Sequence, residues 1–298
     1  MRPRSTHFFS CGTRCAAVLW LPDSPSAAAA WPGIVLCHGF TGIKEWLLPP
    51  FAEAFCAAGF AVLTFDYRGF GESDGARGRL VPQDQVEDIR NAITFLGVQP
   101  GVDPERMGLW GTSFGCANVI QTAGIDARPR CVVGQVGFGS LPRIMREKAG
   151  PEQAEAMRQM LAADAAQRVQ TGVSMQIDPG MMMNDEQSVA AFAAGVQAFP
   201  GLATQLPLEA VERIMEYEPE RVVWQIAPRP LLLIGARYDA AAPVSEMEHL
   251  YRAAGQPKRL EILDITHYEI YDLPHRATAI ALAIEWFRTY LGPVTTQG

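Results

Sequence analysis

The sequence predicts an α/β fold: a doubly wound, mostly parallel sheet of eight strands carrying a helical insertion. Three observations point there. Short apolar runs alternate with apolar stripes at helical spacing along most of the 298 residues, the pattern of strands joined by crossover helices. Most of the strand-like runs are continuously apolar, as in a parallel sheet buried on both faces. Residues 139–224 break the rhythm with helix-forming tracts and no convincing strand.

The elements follow in order. Strands are expected at residues 16–21, 33–37, 60–66, 107–110, 131–136, 230–235 and 260–265. A further strand before Gly12 would form an antiparallel edge with the first of these across a short link. The segment SPSAAAAWPG reads as a loop by composition. Phe51, Phe55 and Ala58 mark one helix, closed by Gly59. Val86, Ile89, Ile93 and Leu96 mark a second, at spacings of three and four. Ile280, Ile284, Phe287 and Leu291 mark the last, stopped by Gly292 and Pro293. The core is therefore expected over residues 1–138 and 225–298, and a helical cap over residues 139–224. Tracts such as PEQAEAMRQMLAADAAQRVQ and DEQSVAAFAAGVQAF supply the cap helices.

A hydrophobic share of 48% and a charged share of 19% are ordinary globular values. The net charge of −7 and a pI near 5.3 provide no basic footprint for nucleic acid or an anionic membrane. Residues 141–220 hold 12 acidic and 6 basic side chains, so that stretch carries −6 of that charge. Six cysteines show no CxxC pairing and sit mostly in apolar runs, which predicts buried free thiols, no metal site and a reduced, cytoplasmic setting. The stretch CAAVLWLP is a weak signal peptide at best, and no run is long enough for a transmembrane helix.

The stretch GLWGTSFGCANVI places Ser113 between Gly111 and Gly115, where an apolar run turns into a helical pattern. A serine there would project its hydroxyl from the carboxyl edge of the sheet. The tight turn leaves little room for flanking side chains, hence the glycines. The following helix aims its first amides at the same spot.

A serine hydroxyl needs a base, and the base needs an orienting acid. Of the five histidines, His7 is near the terminus, His38 precedes Gly39, and His249 lies in a helical pattern. His267, in LEILDITHYEIYD, follows the last strand and is expected to be the base, with His275 the spare. Asp239 follows the run PLLLIGARYDAAAP and is expected to be the acid; Asp264 is the runner-up, too close to His267 along the chain to orient the ring easily. The backbone N–H groups of Phe40, in IVLCHGFTG, and Phe114 are the expected oxyanion donors. A bracing role is expected for His38, Asp66 and Arg68. The glycines of RGFGESDGARG open no helix, so they do not read as a dinucleotide loop.

These pieces together resemble the α/β-hydrolase fold family: HGF, FDYRGFGES, GTSFG, IGARYD and THYEIYD, over most of the chain outside the cap region. The C-terminal portion also looks like bacterial esterases related to dienelactone hydrolases. The resemblance implies Ser113 as nucleophile, His267 as base and Asp239 as acid, with no metal or organic cofactor. Cys116, where many relatives have glycine or alanine, and Thr266, where glycine is common before the histidine, depart from the pattern.

The expected activity is a serine esterase, or a related thioester or amide hydrolase, acting on a fairly apolar small molecule. A carbon–carbon hydrolase or lyase with the same triad and a non-catalytic binding protein are the alternatives. A small-molecule substrate, and at most a second copy of the chain, are the partners expected. Eight of the eleven methionines fall between Met145 and Met215, able either to fill gaps in the core or to line an adaptable pocket.

Overall fold

In the computed structural model, which describes residues 3–23, 30–183 and 185–292, eight strands form one sheet. They are β1 (Arg4–Ser10), β2 (Thr13–Trp20), β3 (Trp31–Cys37), β4 (Ala61–Phe65), β5 (Val102–Thr112), β6 (Pro129–Gln135), β7 (Leu231–Ala236) and β8 (Lys258–Leu263). Their spatial order is β1-β2-β4-β3-β5-β6-β7-β8. β2 pairs antiparallel with β1 and β4, and every other pairing is parallel. The β1–β2 hairpin turns through Cys11 and Gly12, both at positive φ, as a tight two-residue hairpin requires.

Why the strands read as unbroken apolar runs is visible in where neighbours point. Val35, Cys37 and Leu63 join one cluster, and Ile34, Leu36 and Val62 join the other, on the opposite face. Helix α1 (Pro49–Ala57) and the last helix, α9 (His275–Leu291), cover the second face. There Phe51, Phe55 and Phe287 pack around the fully buried Trp110. Helices α2 (Pro82–Gly97) and α3 (Phe114–Ile125) cover the first, through Ile89, Ile93, Leu96, Val119 and Ile120. Each such side chain contributes about 1.5–3 kcal/mol by leaving water, so burial on both faces holds the sheet between two layers of helices.

Some expectations need adjusting. β5 is longer than residues 107–110; Val102 and Asp103 pair with Trp31 and Pro32 of β3, and a register shift at Pro32–Gly33 separates them from the apolar half that resumes at Met107. Trp31 and Pro32 belong to β3, not to the loop before it, and residues 24–29 of that loop lie outside the described residues, as does Pro293. Five cysteines are buried and free, but Cys11 is exposed at the hairpin turn.

Between β6 and β7 stand α4 (Leu141–Lys148), α5 (Pro151–Thr171), α6 (Glu186–Ala198) and α7 (Leu208–Met215). The expectation of no strand fails narrowly: Gln176–Ile177 and Leu206–Pro207 form a two-residue antiparallel ribbon. Ile144, Leu208, Val211 and Ile214 are buried in the same cluster as one sheet face, so these helices rest on the sheet and have no separate core of that size.

The chain leaves and re-enters the sheet at one clasp. Glu246, buried on α8 (Val244–Ala253), accepts the N–H groups of Gly139 (3.0 Å) and Ser140 (2.9 Å) through Oε2. Arg143 donates to both oxygens of Glu246 and to Glu220, in the 3-10 turn Pro219–Arg221 of the returning chain. The N–H of Glu220 closes the clasp on the carbonyl of Gly139 at 3.0 Å. Among the described residues no helix is long and apolar enough to cross a membrane.

Removing the Glu246 carboxylate orphans two buried amides and half of Arg143. Glu246→Ala should therefore cost ~3 kcal/mol, read as a lower urea midpoint, whereas an exposed control such as Glu53→Ala should stay within about 0.5 kcal/mol of wild type.

Candidate active site

Ser113 sits between β5 and α3 with φ 55° and ψ −124°, a conformation that L-residues avoid and that costs on the order of 1–3 kcal/mol. The flanking glycines explain how the chain tolerates it. A Cβ on Gly111 would lie 2.2 Å from the carbonyl oxygen of Gly115, and one on Gly115 would lie 2.2 Å from that of Cys37. Both positions are places where main chain touches main chain. Gly39 does the same from the neighbouring loop: a Cβ there would fall 2.9 Å from the Cβ of Ser113. Behind the turn, the Cys116 sulfur is accommodated because β6 and its exit supply Gly134 and Gly137, whose added Cβ atoms would lie 2.5 and 2.4 Å from it.

The expected base and acid meet. Nδ1 of His267, in the loop after β8, lies 2.7 Å from Oδ2 of Asp239, in the loop after β7. Oδ1 of Asp239 accepts the N–H of Ala242 at 2.7 Å, so one carboxylate oxygen is spent on its own loop and the other on the imidazole. Both side chains are buried. Asp264, the runner-up, instead pairs with Arg237 in solvent. His275 begins α9, His249 lies on α8 and His7 on β1.

Ser113 and His267 both line a cavity of about 140 Å³ under the helices that follow β6. Its floor includes Phe40 and Phe114, and its roof Ile144, Met145, Met182 and Ile214. As the first residue of α3, Phe114 has no intrahelical acceptor for its N–H. Three of the eight clustered methionines, Met145, Met182 and Met183, reach this cavity. Lys148 and Asp185 are the charged residues on its wall besides the histidine. A smaller space of about 40 Å³ lies on the other side of Ser113 and His267, toward Trp46 and Tyr271.

The surrounding loops are held by buried charges. Asp66 Oδ1 accepts the Lys44 N–H at 2.7 Å, and Oδ2 accepts Lys44 Nζ (2.8 Å) and the Glu72 N–H (2.9 Å). Burial alone would lower the Lys44 pKa, but hydrogen bonds and the charges of its carboxylate neighbours raise it. The carboxylates of Glu45, Asp66 and Glu72 converge as metal ligands might be arranged, and the Lys44 ammonium bonds all three. Arg68 binds Asp88 in the same bracing manner. His38 braces its loop through Nδ1 and the carbonyl of Gly39 (3.1 Å), edge-on to Tyr67; burial lowers its pKa to about 4.

Sequence reasoning missed several residues around the cavity. Tyr268 follows His267 directly and lines the wall; Thr112 next to Ser113 bonds the buried Tyr271. Lys148 and Gln187 reach down from α4 and α6 to the loops bearing Asp239 and His267. Tyr268 and Thr112 had a signal in the sequence, their adjacency to His267 and Ser113; Lys148 and Gln187 had none.

A strained serine between strand and helix on a sheet of this order, with a histidine and a buried aspartate at the same rim, defines the class of α/β hydrolases. Residues 30–270 match the family described as serine aminopeptidase, S33, and the chain belongs to that family. It is 35% identical over 269 residues to an uncharacterized 31.7 kDa protein of the traX-finO intergenic region of Escherichia coli, covering 90% of this chain and 94% of that one. It is 30% identical over 271 residues to the thiohydrolase aneE of Aspergillus aculeatus, covering 85% and 81%. The crystal structure of the α/β hydrolase GrgF from Penicillium superposes with a TM-score of 0.82 at 19% identity, covering 98% of this chain and 99% of that one, a likeness of fold.

His38 generates a pH dependence of known sign. Its folded pKa of about 4 lies below the ordinary 6.5, so the unfolded chain binds the proton first and stability falls as pH drops from 6.5 toward 4, by roughly 3 kcal/mol. Urea unfolding at pH 7 and pH 4.5 should show that loss in wild type and a smaller one in His38→Asn.

Proposed function

We propose that the protein is a serine hydrolase that cleaves a carboxylic ester or thioester of a fairly apolar small molecule through an acyl-enzyme. The observation that carries this reading is the buried 2.7 Å contact between His267 and Asp239 at the wall of the cavity that Ser113 also lines. Asp239 holds Nδ1–H and leaves Nε2 of His267 as the base. That nitrogen takes the Ser113 proton as Oγ attacks the carbonyl carbon. The N–H groups of Phe40 and Phe114 receive the oxyanion. The alcohol or thiol then leaves with the proton from His267, and water, deprotonated by the same nitrogen, releases the acid and restores Ser113.

Residues 139–224 act as the cap and the remaining residues as the core. The cap's methionines and Ile144 make the acyl side apolar and adaptable. The thiohydrolase name of the Aspergillus relative supports including thioesters among the substrates.

A fluorophosphonate probe should label the wild type at Ser113 and leave Ser113→Ala unlabelled; a folded wild type that resists labelling sinks the reading. Asp239→Asn should lower kcat by ~10⁴-fold without large change in fold. Wild type and Ser113→Ala assayed on matched esters, thioesters and amides identify the bond. Turnover of a diketone but of no ester or thioester would replace this proposal with carbon–carbon hydrolysis.

A further inference from the structure

We infer that the cap positions the catalytic pair directly, through Lys148 on the acid loop and Gln187 on the base loop. This rests on the hydrolase reading above. Ser113 stands on a turn fixed by main-chain packing, whereas Asp239 and His267 stand on loops. The relative placement of hydroxyl and imidazole therefore depends on what holds those two loops.

Each loop is tied to a different cap helix by one side chain. Lys148, the last residue of α4, donates through Nζ to the carbonyls of Ala240 and Ala241 (3.0 Å to the latter). Those residues follow Asp239 and lie inside the turn that its Oδ1 closes onto Ala242. Lys148 thus grips the outside of the turn whose inside is built on the carboxylate. Gln187, in the first turn of α6, donates through Nε2 to Thr266 Oγ1 at 2.6 Å. The Thr266 hydroxyl donates onward to Glu269 Oε2 (2.8 Å), which also accepts the Thr266 N–H (2.7 Å). His267 is the next residue. A hydroxyl before the catalytic histidine has a use here that glycine would lack.

The cavity lies between these helices and Ser113, and Lys148 is on its wall. A ligand that shifts α4 or α6 while filling the cavity carries the acid loop and the base loop with it. Lys148 also brings a positive charge near Asp239, with Asp185 the opposing charge on the cavity wall. Burial depresses the Lys148 pKa, against the pull of Asp185 and Asp239.

The test uses the full chain and p-nitrophenyl esters. Gln187→Leu and Thr266→Val should each lower kcat by roughly 10- to 100-fold, as small misplacements of reacting groups do. KM should change much less. The double variant should be no worse than the poorer single, the mark of one shared contact, and Thr266→Ser should restore wild-type kcat. Lys148→Met should lower kcat and move the acid limb of the kcat profile to higher pH, because losing a cation favours the imidazolium; Lys148→Arg should move it back. A bond that merely holds the cap down would change melting temperature without moving that limb or separating kcat from KM.

If the wild type turns over esters while Gln187→Leu and Lys148→Met keep its kcat and its pH midpoint, the coupling is wrong and the hydrolase reading stands. If the wild type turns over no ester and resists the fluorophosphonate, the hydrolase reading itself fails.

Discussion

The close approach of main chain to main chain around Ser113 is the constraint on which the site depends. Gly111, Gly115 and Gly39 allow β5, the start of α3 and the loop after β3 to touch where any Cβ would collide. At that contact Ser113 stands at positive φ and lines the cavity. The strain is local, of the order of one good core contact, and the apolar packing of Trp110 on one face and α3 on the other absorbs it.

Against this rigid serine, the other two groups are held by hydrogen bonds. One oxygen of Asp239 is committed to its own loop, so the carboxylate cannot turn away from His267 without losing a buried bond. The charges nearby are few and mostly accounted for. Lys44 is surrounded by carboxylates, Arg68 by Asp88, and His38 stays neutral through burial over the pH range of most assays. His267, backed by Asp239, therefore shares the cavity wall with the charged Lys148 and Asp185.

The helical segment is joined to the sheet at three kinds of place. Apolar residues of α4 and α7 merge with the core, Glu246 and Arg143 clamp its two connections, and single side chains reach the acid and base loops. The first two fix where the segment sits; the third ties it to the loops that carry Asp239 and His267. The cavity is mainly apolar, with Lys148 and Asp185 as the charged side chains on its wall besides His267, and the overall negative charge of the segment lies largely elsewhere.

Most of the sheet, the turn at Ser113 and the positions of Asp239 and His267 just past two strands could be read along the chain, because each depends on local pattern: apolar runs, a glycine-flanked turn, a polar residue just past a strand. Asp264 shows the limit of that logic, since it too follows a strand, and only the coordinates show it turned to Arg237 in solvent. The early half of β5 was illegible because it is largely polar and pairs only with Trp31 and Pro32, across an irregularity that breaks its register with the apolar half. The hydrogen bonds from the helical segment to the two loops were equally hidden. Lys148 and Ala240 are 92 residues apart, and Gln187 and Thr266 are 79. Local pattern records which face of an element meets the core; it carries no record of which distant loop a long polar side chain will reach, because that is set by how the packed helices finally lie over the sheet.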